Sequence, residues 1–147
     1  MTVRVRRAGR GDAAEAVDVL RRSITDLCAA DHGDDPAEIA AWLANKTEAG
    51  FEAWRRRPDA VVLVAERAGR VVGVGMAGFA GEILLNYVAP SARASGVGTA
   101  ILSGLQDALR ARGLAHCHLR TTRTARAFYA ARGFRGAAGS DLMTTAL

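Results

Sequence analysis

In RASGVG, Arg93 to Gly98, an arginine is followed by two glycines flanking a valine, just where a helical stripe begins. Glycine is costly in a helix interior, so Gly96 and Gly98 at the opening of such a segment call for a physical reason. A helix start leaves four backbone N–H groups unpaired and carries the positive end of the helix dipole. No carboxylate stands in the first turn to satisfy that end from within, and Arg93 adds charge. The segment is therefore suited to an outside anion, a pyrophosphate in particular. A tight turn whose glycines serve packing alone is the other reading these six residues allow.

Three further stretches invite a chemical reading. GVGMAG, Gly73 to Gly78, matches GxGxxG in form, but it lies in an alternating segment with no helix after it and no acid about 20 positions on, so it is set aside as a dinucleotide fingerprint. His116 and His118 flank Cys117; on a strand the two imidazoles share one face and the thiol takes the other, and with no third ligand in reach no metal is expected. AADHGDDPAEIAAW gathers acids around His32 and Trp42. Asp31, His32 and Trp42 are candidates to attract and pack a cationic amine, although helix capping by the same acids explains them as well.

The elements that must position these residues follow from periodicity. TVRVRRA alternates as an opening strand, and residues 12–30 carry Val17, Leu20, Ile24, Leu27 and Cys28 at helical spacing, with Asp12 as N-cap and Glu15 as its reciprocal partner. Asp35 and Pro36 open a second helix with Ile39, Trp42 and Leu43 as its apolar stripe, and a short third helix ends at Pro58. AVVLVAER and RVVGVGMAGFA form a hairpin turning at Ala68 and Gly69. EILLNYVA is nearly continuous in apolar residues and is expected to be a central strand buried on both faces. From Gly96 the stripe Val97, Ile101, Leu105, Ala108 and Leu109 makes a helix, followed by a strand at AHCHLR, a helix at TARAFYAAR and hairpin-like strands to the end. Strand, helices, a run of strands, then alternation indicates a mixed α+β or α/β sheet domain.

Bulk properties exclude several classes. A chain of 147 residues, half of them hydrophobic, fits one compact domain without disulfides or metals. Cys28 and Cys117 lie in no ligand spacing and suit a reducing compartment, so the cytoplasm is expected. No signal peptide is read, because no apolar run follows the charged N-terminal residues, and no membrane segment, because the one long apolar window is punctuated by glycines and holds Glu82 and Asn86. The net charge of +5 is spread along the chain without interleaved aromatics, which argues for a solvated surface and against a nucleic-acid partner.

Two segments together resemble a known family. YVAPSARASGVGTAILSGLQDALRARG resembles the acetyl-CoA-binding segment of the GNAT superfamily of N-acetyltransferases, with its R/Q-x-x-G-x-G/A signature after a strand ending in a proline turn. ARAFYAARGF resembles the same superfamily's helix bearing F-Y-x-x-x-G-F, in the family's order and at its usual separation. The resemblance implies a GNAT-like α/β fold over residues 1–147 as one domain: a central, mostly antiparallel mixed sheet of six to seven strands flanked by about four to five helices. The part from about Ala60 follows the family's run of elements, and the two N-terminal helices fit its variable acceptor-binding region.

Residue by residue, the resemblance implies that the amides of Arg93, Ala94, Ser95, Gly96, Val97, Gly98 and Thr99 hold the pyrophosphate of acetyl-CoA. Tyr87 and Val88 would border the pantetheine arm and offer a backbone N–H to the thioester carbonyl, Phe128 would pack near the cofactor, and Tyr129 would face the sulfur. Ala94 stands where many members have glycine, tolerable at negative φ. Thr122 stands where many have an asparagine that bonds the pantetheine.

Acyl transfer to an amine needs a neutral nitrogen, a polarised carbonyl and a proton for the departing thiolate. A lysine-like amine titrates at about 10.4, so a base is wanted, and Glu82 is the candidate. The Val88 amide is the candidate polariser if the strand leaves it unpaired, and Tyr129 the candidate acid for a thiolate whose thiol titrates at about 8.5. The expected function is an acetyl-CoA-dependent N-acetyltransferase acting on a primary amine of a small molecule or peptide. A non-catalytic acyl-CoA-binding module is the alternative, and the oligomeric state is open, a homodimer included.

Overall fold

The computed structural model describes residues 2–147. Strands β1 (Val3–Arg7), β2 (Ala60–Arg67), β3 (Arg70–Gly78), β4 (Glu82–Val88), β5 (His116–Arg120) and β6 (Leu142–Ala146) form one sheet in the order β1-β2-β3-β4-β5-β6. Every neighbouring pair is antiparallel except β4 and β5. Parallel neighbours need a crossover, supplied here by helix α5 (Val97–Ala111). Helices α1 (Ala13–Leu27), α2 (Ala29–His32), α3 (Pro36–Leu43) and α4 (Glu48–Arg55) fill the long connection from β1 to β2, and α6 (Arg126–Ala131) lies between β5 and β6. The mixed, mostly antiparallel sheet is as expected; six helices stand where four to five were anticipated, because α2 is a separate turn ended by Gly33 in the left-handed region.

Helix α5 explains the glycine pattern of β3. A Cβ on Gly75 would lie 2.3 Å from Ile101 Cγ2 and 3.1 Å from Leu105 Cδ1, and one on Gly73 2.5 Å from Ile101 Cδ1. The GxGxxG spacing thus clears a groove for a helix that packs directly on the strand, with Ile101, Leu105 and Leu109 fully buried there. Helix α1 packs on β3 and β4 as well, and its Ala16, Leu20 and Ile24 are fully buried. The hairpin turn takes left-handed conformations at Ala68 (φ 54°) and Gly69 (φ 78°), as its residue types suggested.

Three local expectations are corrected. Asp12 and Glu15 do not form a capping box on α1. The chain enters α1 through a tight turn, Arg10–Asp12, that leaves Asp12 already helical, and its carboxylate accepts from Arg6 Nη1 (2.7 Å), Arg6 Nη2 (2.9 Å) and Gly9 N–H (2.6 Å). The Arg6 guanidinium holds the Asp12 carboxyl below the usual carboxylate range. Second, β4 is central but not buried on both faces: Leu84 is exposed and Leu85 to Val88 are half-exposed, because β5 pairs with only the first two residues of β4. Third, the C-terminal hairpin reduces to β6 and one isolated bridge, Arg135 to Thr144; next to it the backbones of Gly136 and Leu142 pass so closely that a Cβ on Gly136 would strike the Leu142 carbonyl.

Candidate active site

The site begins where two strands part. β4 and β5 are paired at Glu82–His118 and Ile83–Leu119 and then diverge. Between them opens a cleft of about 410 Å³, walled by β4 from Ile83 to Val88, by the start of α5, by α6 with the turn before it, and by Ser23, Leu27 and Cys28 of the α1 end. Along β4 the ladder alternates: Ala89 N–H bonds the Val72 carbonyl at 2.8 Å, so Tyr87 and Ala89 turn their backbone groups to β3, whereas Asn86 and Val88 turn theirs toward the missing β5. The Val88 amide therefore leads into the cleft. The Asn86 amide does so equally, which sequence reasoning missed because it depends on ladder parity. Tyr87 lines the cleft with its ring instead, beside Cys28 and Trp42, and burial raises its phenol above the usual range.

At one end of the cleft lies the N-terminus of α5. Its N-cap, Gly96, is left-handed (φ 84°), no side chain caps it, and no acid stands in its first turn. All seven residues from Arg93 to Thr99 line the cleft. Ala94 departs from expectation: its φ is +58°, not negative, so an alanine occupies a conformation that suits glycine. Replacing Ala94 by Gly is expected to stabilise the chain by about 1 kcal/mol, a rise of about 3 °C in a thermal melt, with the turn otherwise unchanged. Gly98 has a different reason: a Cβ there would press on the Phe128 ring at 3.3 Å and on Val88 at 3.5 Å. Arg132, one turn after Phe128, stacks its guanidinium 3.7 Å from that ring's centre and donates from Nε to Thr99 Oγ1 at 2.9 Å. It adds positive charge beside the helix start. Its spacing from Phe128 within one helix was the available signal.

Tyr129 lies on the wall formed by α6, with its ring edge-on to Phe128 (5.1 Å) and Phe134 (5.5 Å). Burial pushes its phenol up to about 12, with the Asn86 side chain acting the other way. At neutral pH it keeps its proton. Cys28 is likewise pushed up to about 11 by burial and stays a neutral thiol. Asn86 donates from Nδ2 to the Gly98 carbonyl at 3.1 Å, tying β4 to the start of α5. Thr122 lines the cleft, but its hydroxyl accepts the Ala125 N–H at 3.2 Å and so helps open α6.

The acceptor-side candidates fare differently. The Asp31 carboxylate accepts from Arg123 N–H (2.6 Å), Thr124 N–H (3.4 Å) and the Thr124 hydroxyl, pinning α2 to the turn before α6. His32 is buried, with Nδ1 accepting from Asp34 N–H (3.0 Å) and Nε2 donating to the Ile24 carbonyl (2.7 Å), so it holds α2 in place. Trp42 packs edge-on against His32 at 6.1 Å and stands behind Tyr87, outside the lining. Glu82 is also outside the lining, at the still-paired base of the strands. His116 and His118 share one face of β5 while Cys117 is buried on the other, near Gln106. No group of three or more metal-ligating side chains occurs among the described residues, and no helix among them is long and apolar enough to cross a membrane.

Residues 58–136 match the family model of the acetyltransferase (GNAT) domain. No curated protein matches the chain at a significant level. Among solved structures, a GCN5-related N-acetyltransferase from Rhodopseudomonas palustris is 27% identical, with 100% of this chain and 97% of that one covered and a TM-score of 0.88. The PaiA N-acetyltransferase from Thermoplasma acidophilum, solved in complex with coenzyme A, is 18% identical over 100% of both chains, also at a TM-score of 0.88. The ribosomal-protein-S18-alanine N-acetyltransferase from Escherichia coli is 17% identical over 99% of this chain and 94% of that one, with a TM-score of 0.68. At those two lower identities the likeness is one of fold. Parted strands with free amides, an uncapped helix start and a buried phenol form one cleft in a chain whose family model spans more than half its length; the chain belongs to the GNAT family of acetyl-CoA-dependent N-acetyltransferases.

Proposed function

We propose that this chain, as a single domain, transfers an acetyl group directly from acetyl-CoA to a primary amine of a small molecule or peptide. The observation that carries this reading is the pair of β4 amides, Asn86 and Val88, leading into a cleft that has the Tyr129 phenol on its far wall and the bare α5 start at its end.

The residues suit the cofactor. The α5 start has no capping side chain and no acid in its first turn, and the space a Cβ would take on Gly96 is open, with nothing within 4 Å. The amides from Ala94 to Thr99, with Arg93 and Arg132, would hold the diphosphate, and the free edge of β4 would take the pantetheine arm as an added strand. Bound there, acetyl-CoA supplies the acetyl group as an activated thioester. The Val88 or Asn86 N–H then stabilises negative charge on the carbonyl oxygen, a service worth about 3 kcal/mol when such a donor is removed in other enzymes. Tyr129 holds its proton through neutral pH and gives it to the sulfur. Phe128 and Tyr87 keep water from the reacting centre.

The test is thiol release from acetyl-CoA with a panel of primary amines. Amine-dependent release supports the reading. Binding of acetyl-CoA without release for any amine would instead mark a non-catalytic acyl-CoA module.

A further inference from the structure

The cleft has no group fit to take a proton from an ammonium ion. None of its lining side chains among the described residues is Asp, Glu or His. Asp31, beyond the lining, accepts three hydrogen bonds from the turn before α6, and His32 is buried with both ring nitrogens engaged. The charged groups that do line it are Arg93, Arg120 and Arg132, all positive, and Arg120 is paired to Asp141 at 2.7 Å. Glu82 and His118 sit together at the base of the parted strands, outside the lining. Three titratable groups of the wall, Cys28, Tyr87 and Tyr129, are all raised by burial, which shows that the environment disfavours charge. An ammonium placed there meets the same penalty.

We propose, resting on the transfer reading above, that the acceptor of this site is a weakly basic amine of the kind carried at the N-terminus of a peptide or on an amino-acid amide, in preference to a lysine-like alkylamine. The amine enters neutral. Its nitrogen lone pair forms the C–N bond as the C–S bond breaks, the sulfur takes the Tyr129 proton, and the surplus proton on nitrogen leaves to solvent, from which the phenol is reprotonated. A peptide α-amine titrates at about 7.7–8.0 and a lysine side chain at about 10.4, so at pH 7 the neutral fraction differs by about 300-fold with no help from the protein.

The experiment measures kcat/KM against pH for alanyl-alanine amide and for Nα-acetyl-lysine amide, with wild type and with Glu82→Gln. The expected profile rises with unit slope to each amine's own pKa. The dipeptide amide is favoured at pH 7 by at least about 100-fold, and Glu82→Gln stays within about threefold of wild type. Calorimetry of the dipeptide amide binding to the CoA-loaded enzyme at pH 7, in two buffers of different ionisation enthalpy, should show close to one proton released, because the ammonium must deprotonate to enter. A common inflection for both amines, comparable rates on the lysine amine, a loss of about 100-fold in Glu82→Gln, or binding with no proton release would overturn the choice of acceptor and leave acetyl transfer standing. A protein that binds CoA but acetylates neither these two amines nor any other of the primary-amine panel overturns the transfer reading and this one with it.

Discussion

Tyr129→Phe is expected to lower kcat by about 100-fold, equivalent to about 2.7 kcal/mol of barrier, while the dissociation constant for acetyl-CoA stays within a factor of about two. The substitution removes one oxygen and keeps the ring packed edge-on between Phe128 and Phe134, so the α6 wall should hold its shape. The phenol's burial pushes its ionisation up to about 12. Wild-type turnover should therefore show no fall attributable to this group below about pH 10, since the proton to be donated is present throughout. Stopped-assay kcat and calorimetric cofactor affinity, measured on the same preparations, separate the two quantities. Equal loss of both would mean that Tyr129 shapes the cleft without donating a proton.

Gly75→Val is expected to cost about 3 kcal/mol of stability, a fall in Tm of about 10 °C. A Cβ at this position already lies 2.3 Å from Ile101 Cγ2, and the Leu85 carbonyl stands 3.4 Å away, so neither the helix side nor the strand side can yield freely. Two further methyls must lift α5 from β3. The consequence extends to the site, because Asn86 ties β4 to the Gly98 carbonyl and the bare helix start has to face the parted strands. Acetyl-CoA affinity should fall along with stability. Ile101→Ala in the same chain should recover part of both losses, since the shaved side chain is the one the valine strikes; additive losses in the double variant would show that the glycine serves some other purpose.

The glycines show what a linear sequence can and cannot convey. RASGVG could be read as an anion site because its logic is local: a helix start, no acid in its first turn and an arginine lie within a few residues of one another. The use of GVGMAG as a groove for α5 depends on Ile101 and Leu105, which are about thirty residues away and meet the strand only through the crossover. The same contrast runs through the acids. Asp35 caps α3 as read, with its carboxylate accepting from Ala37 N–H at 3.1 Å, because a cap is a contact within one turn. Asp12 and Asp31 were drawn off by partners that no spacing discloses, an arginine of β1 and a turn more than ninety residues downstream.

The expected full burial of β4 failed for a physical reason tied to function. An apolar run is the mark of a strand covered on both sides, but it serves equally for a strand with one edge left open for a ligand, and hydrophobicity cannot separate the two. Ladder parity decided the rest: Val88 and Asn86 present free amides while Tyr87 between them does not. Ala94 is the converse case, in which the residue type argued for ordinary backbone and the turn imposed a positive φ. Such departures gather in the segment that would contact the cofactor, which is where local preference is most readily overridden.

Acetyl transfer in this cleft requires the diphosphate of acetyl-CoA to sit on the bare start of α5 while its arm completes the free edge of β4. A crystal structure of the protein with coenzyme A tests this directly. The expected result is phosphate oxygens within hydrogen-bond distance of the amides between Ala94 and Thr99, and the thiol end near Tyr129. Coenzyme A bound away from the β4–β5 opening, with the Gly96 turn closed by the protein's own side chains, would contradict it.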